Sequence, residues 1–258
     1  MYRRIMSEVD VKLGIKSILD RIDIAYNKRA QTFVAPKPKL VAVSKTKPIE
    51  LILDAYSVGQ RDFGENYVKE LVEKATNSQI LEQCKDIRWH FIGHLQRNKI
   101  NKIVNLPGLS MIQTVDSEKL ADSLNTAWGK LKTGQPGKEN LEILIQINTS
   151  DEDEKNGVEP NDAPNLYRHV IEKCTNLKCV GIMTIGKFGH DYSKGPNPDF
   201  ITLMKCHAEI CTTFELDPMN VNVSMGMSDD FENAIDMGST IVRVGSSIFG
   251  YRPKKNES

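Results

Sequence analysis

Apolar residues recur near helical spacing over residues 8–31, through Val9, Leu13, Ile15, Ile18, Leu19, Ile22 and Ala25, which predicts an N-terminal helix. The PKPKL segment ends it. From residue 40 the pattern changes. Short apolar, β-branched runs alternate with amphipathic stretches of helix length. The runs are 40–45, 62–66, 88–93, 111–116, 141–148, 179–186, 220–226 and 240–247. The stretches between them are 49–58, 67–82, 98–105, 117–131, 161–174, 199–214 and 229–237. Several runs are apolar throughout, as strands covered on both faces of a parallel sheet must be. Eight β-then-α units in 258 residues predict one closed (β/α)8 barrel, an α/β fold, with an extra N-terminal helix. The rival is an open doubly wound sheet, but no G-x-G-x-x-G follows the first run.

The domain reading is therefore a single unit over 1–258, with 1–37 as helix and linker and 253–258 as a tail. Two long connections, 150–162 and 186–198, follow the fifth and sixth runs, at the end where barrel enzymes carry their sites. The second is rich in Gly and Pro and is either a lid or a plain surface loop.

Charge removes some classes of partner. With 34 basic and 34 acidic residues the net charge is zero, so no nucleic-acid or anionic-membrane footprint is expected. No apolar run approaches the ~20 residues of a membrane span. Five cysteines without framework spacing fit free thiols in a reducing compartment. The N-terminal MYRRIM carries two arginines but soon meets Glu8 and Asp10, unlike an acid-poor transit peptide. A cytoplasmic location is expected, with a mitochondrial fraction as the alternative.

Alternation along the first run puts Val41, Val43 and Lys45 on one face. If the valines point into the barrel, Lys45 reaches its mouth, where burial favours the neutral amine, a nucleophile toward an aldehyde. The alternative is a lysine that leaves the strand end for solvent or pairs with Glu65. Lys47, next to Pro48, is the weaker candidate. Arg243 shares a face with Ile241 and Gly245 and needs an acceptor: a ring nitrogen, a phosphate or a carboxylate, or else an internal partner such as Asp62 or Asp116.

SMGMSDD (224–230) and GSS (245–247) follow the seventh and eighth runs, where barrels often bind phosphate. Ser224, Gly226, Gly245, Ser246 and Ser247 have the character for it. Ser228 can also cap a helix starting at Asp229. Asn66 and His90 are either hydrogen-bond partners of a ring substituent or satisfied core groups. His207 and Cys211, four apart, lack further metal ligands nearby, and Arg97, Lys99 and Lys102 read as a solvated helix face.

Taken in order, LVAVSKTKP (40–48), FGENYVKEL (63–71), WHFIGHLQRNK (89–99), IQINTS (145–150), GIMTIG (181–186), FGHDYSKGPNPDF (188–200), SMGMSDDF (224–231) and VRVGSSIFG (242–250) resemble the pyridoxal 5'-phosphate (PLP) homeostasis protein family, its animal members above all. The resemblance runs from about residue 38 to 252. It implies a TIM barrel with one PLP, like the barrel domain of alanine racemases without the second domain. It implies a Schiff base, the internal aldimine, on Lys45 and Arg243 at the pyridine nitrogen. Phosphate would sit at Ser224, Gly226, Gly245 and Ser246, and Asn66 and His90 would line the ring pocket.

It further implies a carrier that holds PLP and supplies apo-enzymes, with effects on amino-acid pools. An arginine at the ring nitrogen disfavours ring protonation, and a lone barrel lacks the base a second domain would bring, unless His190 or Tyr192 serves. No classical catalysis is expected; the alternative is a racemase or lyase of low activity using Lys45. No metal is expected. A monomer is expected, a dimer being the alternative.

Overall fold

The computed structural model describes residues 9–29, 35–150, 156–187 and 189–251. Eight parallel strands close into a barrel in sequence order, β1 pairing with both β2 and β8. They are β1 (Lys39–Val43), β2 (Asp62–Glu65), β3 (Arg88–Phe91), β4 (Leu109–Val115), β5 (Leu141–Gln146), β6 (Leu177–Met183), β7 (Asn222–Ser224) and β8 (Ile241–Val244). The helices are α1 (Val11–Lys28), α2 (Ile49–Ser57), α3 (Val68–Ala75), α4 (Ser78–Gln83), α5 (Ile100–Ile103), α6 (Glu118–Gly134), α7 (Ala163–Lys173), α8 (Pro198–Thr213), α9 (Phe231–Asp236) and α10 (Ser246–Phe249). None among the described residues is long and apolar enough to cross a membrane.

The period of two in each strand divides the core. Leu40, Ala42, Phe63, Trp89, Phe91, Val242 and Val244 face outward into the large layer between barrel and helices. Inside, only a small apolar plug forms, from Val41, Met111, Leu144, Met183 and Ile241. Hydrophobic burial therefore acts mostly in the outer layer, which leaves the barrel interior available for polar groups.

The N-terminal helix is α1, with Asp10 as its cap, its Oδ1 accepting from Leu13 N at 2.9 Å. It packs on α2, α9 and α10. Gly14 permits this: a Cβ there would stand 3.1 Å from Ile248 O. Arg21 grips Glu232 of α9 with two hydrogen bonds, 3.0 and 2.7 Å.

Several boundaries differ from the expected ones for local reasons. The 67–82 stretch is two helices because Asn77 caps the second one, accepting from Gln79 N at 2.9 Å. The last strand stops at Val244, and Ser246–Phe249 turn into α10. The helix after β7 starts at Phe231, so Ser228 is not its cap; its Oγ instead accepts from Gly245 N at 3.2 Å. MYRRIM, residues 151–155 of the first long connection, Phe188 of the second and the PKKNES tail lie outside the described residues.

Candidate functional site at the barrel mouth

Strand register assembles the mouth. Val41 of β1 stands opposite Arg243 of β8 and Ala42 opposite Val244. The next inward step on β8 is Gly245, whose absent side chain lets β8 press against β1: a Cβ there would lie 3.1 Å from Val43 O. Lys45 follows two residues after Val43, half-buried. It does not belong to the strand. Residues 45 and 46 form a turn, and Thr46 takes the left-handed conformation, φ 63. Strand alternation therefore brings the chain to Val43, and the turn decides the direction of Lys45. Lys47 donates to Gly250 O at 2.7 Å, tying this turn to the end of α10. Glu65 is engaged by Lys74 and Ser44 instead of serving as the partner of Lys45.

Gly226 turns the chain after β7 with φ 94, and a Cβ there would come within 2.6 Å of Ala234 Cβ. Its carbonyl accepts from Arg243 N at 3.0 Å. Joined to Gly245 through Ser228, this makes two glycine turns meet at the mouth beside the first N–H groups of α10, which a helix start leaves without intrahelical partners. Ser246 sits in that first turn.

Ser224 lies elsewhere. It is buried in the barrel and belongs to a polar chain that crosses the interior. Arg243 Nη1 donates to Ser224 Oγ at 2.7 Å, and Ser224 Oγ to Gln113 Oε1 at 2.8 Å. Gln113 Nε2 meets His90 Nδ1 at 3.0 Å, and His90 Nε2 meets Asp62 Oδ1 at 2.8 Å. Arg88 clasps Asp62 from below at 2.9 and 2.6 Å. The direction is forced. A guanidinium only donates, so Ser224 must pass its proton to Gln113 Oε1; the Gln113 amide then donates to His90, whose hydrogen sits on Nε2 facing Asp62. The second Arg243 bond goes to Thr184 O, 2.8 Å. Asp62 and Asp116 are not its partners; Asp116 faces His94 at 3.7 Å.

The charges agree with this order. Burial pulls the Arg243 guanidinium down to about 10, so it stays charged at neutral pH. Burial alone would raise the Asp62 carboxyl, but hydrogen bonds from Arg88 and His90 outweigh it and hold it well below the usual range. Burial lowers His90, keeping it neutral. Both His90 nitrogens are thus committed within the protein, and it supports Arg243 through Gln113 and Ser224.

The unfolded chain binds a proton that folded His90 refuses. The stability this histidine contributes is then full above about 6.5 and falls as pH drops through it, by up to about 1.4 kcal/mol per pH unit. In His90→Asn that slope is missing, so the melting-temperature gap between wild type and variant should narrow from pH 7.5 to pH 5. Parallel curves would contradict the buried neutral imidazole.

Asn66 follows β2, and its Oδ1 is buried without a hydrogen-bond partner among the described residues. Such an acceptor costs about 1–3 kcal/mol unless something else bonds it. In the 186–198 connection, His190 Nε2 meets Gly195 O at 2.9 Å and stacks edge-on against Tyr192. Burial raises the Tyr192 hydroxyl, which lacks a partner in hydrogen-bonding geometry although the Asn197 amide is beside it. The His207 and Cys211 pair is satisfied in the core, His207 Nε2 meeting Val221 O at 3.1 Å. Gln113, Thr184, Lys74 and Glu70 were not foreseen. Gln113 carried a signal, since it shares the inward face of β4 with Met111; Lys74, in the sequence KELVEK, carried none.

Residues 19–253 match the family described as alanine racemase, N-terminal domain, and that is the class this barrel defines. An alanine racemase from Corynebacterium glutamicum shares the fold at TM-score 0.62 with 14% identity, over 96% of this chain and 63% of its own. The chain belongs to the pyridoxal phosphate homeostasis protein family. A member from Bos taurus is 50% identical over 246 residues, 95% of this chain and 89% of its own. One from Caenorhabditis elegans is 43% identical, over 96% and 100%. PipY of Synechococcus elongatus PCC7942, whose structure has PLP bound, is 27% identical at TM-score 0.74, over 93% and 100%.

Proposed function

We propose that this chain holds PLP at Lys45 and serves intracellular PLP homeostasis, keeping the cofactor in a protected form and supplying it to apo-enzymes. The observation that carries the reading is the β1–β8 register, which sets Val41 opposite Arg243 and brings Gly245 against Val43, two residues before Lys45. The relatives named for PLP homeostasis and the PLP-bound PipY structure support it.

The residues present fit the group. Lys45 offers an amine for an aldehyde. The glycine turns at 226 and 245, where a Cβ would strike Ala234 and Val43, let these loops close in tightly beside the α10 amides, the donors for a phosphate. The unpartnered Asn66 Oδ1 offers an acceptor for a ring hydroxyl. When bound, PLP supplies an electrophilic aldehyde and a ring that withdraws electrons best when its nitrogen is protonated. Arg243 is a donor only, fixed by Ser224 and Thr184, and its charge at neutral pH opposes a second cation beside it. The chain's own groups therefore bind and shield rather than promote proton removal.

A second reading, a racemase or lyase of low activity, is favoured by the buried, unpartnered Tyr192 hydroxyl, a candidate acid or base in a connection at the mouth end. The PLP-loaded protein is expected to load an apo-enzyme faster than free PLP does, and to exchange amino-acid α-protons in deuterated water no faster than free PLP. Loading no faster than free PLP ends the carrier reading. Exchange at an enzyme-like rate that Tyr192→Phe abolishes puts the second reading first.

A further inference from the structure

Behind the Lys45 turn, on the outer side of the barrel, sits a buried ionic cluster. Lys74 of α3 is 4% exposed, and its Nζ donates to Ser44 O at 2.7 Å, Glu65 Oε1 at 2.7 Å and Glu70 Oε1 at 2.6 Å. Ser44 Oγ donates to the same Glu65 oxygen at 2.7 Å. Thr46 N donates to Glu70 Oε1 at 2.5 Å. Every contact that this cluster sends toward β1 therefore lands on residue 44 or residue 46. These are the two neighbours of Lys45, and Thr46 is one of two described non-glycine residues with positive φ.

A purely stabilising role explains this poorly. Burying the Lys74 ammonium and the Glu65 carboxylate carries a desolvation cost that their mutual attraction repays only in part, and apolar residues of the same volume often do as well or better. Glu65 Oε2 is even left buried without a partner. What apolar packing cannot supply is direction. The strand ends at Val43, the turn bends through a left-handed residue, and two bonds to its backbone, at Ser44 O and Thr46 N, with a third to the Ser44 hydroxyl, hold it on both sides of Lys45.

We propose that Lys74, with Glu65 and Glu70, is a positioning residue: it clamps the Ser44–Thr46 turn so that the Lys45 amine meets the aldehyde of a phosphate-anchored cofactor. This rests on the reading of Lys45 as the covalent anchor. Lys74 touches no cofactor; it acts through the turn.

Two measurements on the full chain separate this role from general stability. The first is the rate at which borohydride-trappable PLP appears on Lys45. The second is the affinity for pyridoxine 5'-phosphate, which carries an alcohol in place of the aldehyde and reports phosphate and ring contacts alone. Lys74→Met should slow capture on the order of tenfold or more, as a misdirected nucleophile does, while affinity for the alcohol stays unchanged. Ser44→Ala, which loses only the hydroxyl bond to Glu65, should slow capture by a smaller factor and decides the matter if Lys74→Met does not fold. Capture at the wild-type rate in the folded variants overturns the proposal, as does capture falling in the same proportion as alcohol affinity. If the wild-type chain is not trapped at Lys45, the anchor reading itself fails and takes the clamp with it.

Discussion

Lys45→Ala is expected to abolish covalent capture of PLP. Borohydride treatment of the wild-type protein should leave one cofactor on the peptide that contains residue 45, and none on the variant. The expectation follows from placement. Lys45 opens the turn two residues after Val43, the residue against which Gly245 packs. Lys47, two residues on, has its amine held by Gly250 O at 2.7 Å, away from that position. Lys47→Ala should therefore still be trapped at Lys45. Losing the covalent link leaves the glycine turns and Asn66 to hold the ligand, so affinity should fall on the order of a hundredfold, equivalent to about 2.8 kcal/mol. Equal capture in Lys45→Ala, or trapping that moves to Lys47, would remove the anchor from the turn and with it the proposed function.

How much of this was visible beforehand depends on the range of the interaction concerned. The barrel was legible because its signal is local and repeated: Leu40 and Ala42 outward, Val41 and Val43 inward, and the same alternation in the other strands. The inward direction of Arg243 followed from the same rule. Its partners did not. Arg243 finds Ser224 on the neighbouring β7 and Thr184 just past β6, 19 and 59 residues away in sequence, and nothing in the sequence chooses these over Asp62. Asp62 is already taken by Arg88 and His90 from the neighbouring strand.

His90 shows the same limit. Its inward face was readable, but its role depends on Gln113, one strand further round. Alternation explains the position of Lys45 only in part. Alternation carries the chain to Val43, and beyond it a left-handed Thr46 and the Lys74 cluster take over. Nothing in the sequence sets Lys74 apart from the other lysines of its helix, because burial against Ser44 O is a tertiary fact with no periodicity to reveal it.

Gly93→Ala is expected to be among the most damaging single-methyl additions in the molecule. The chain leaving β3 crosses the end of β2 so closely that a Cβ on Gly93 would lie 1.9 Å from Asn66 O, 2.7 Å from its carbonyl carbon and 2.8 Å from its Cα. All three are backbone atoms, so no side chain can swing aside. Ile92 N holds the two segments together by donating to Glu65 O at 2.9 Å, and Thr114 Oγ1 of β4 fixes Gly93 from the other side by donating to its O at 2.6 Å. Relief requires separating β2 from β3 at the mouth, with a cost expected at about 3 kcal/mol or more. Gly134→Ala makes the comparison, since a Cβ at the end of α6 meets nothing within 4 Å. That variant should be neutral or gain about 0.5 kcal/mol from a stiffer unfolded chain. Thermal unfolding of both reads the difference, at roughly 2–4 °C per kcal/mol for a chain of this size. The clash also bears on function, because it moves Asn66, whose buried Oδ1 awaits a donor. At temperatures where Gly93→Ala is still folded, its affinity for pyridoxine 5'-phosphate should therefore fall, while that of Gly134→Ala matches wild type. A Gly93→Ala protein as stable as wild type would mean that β2 and β3 do not meet as described; a destabilised one with full affinity would mean that Asn66 plays no part in holding the ligand.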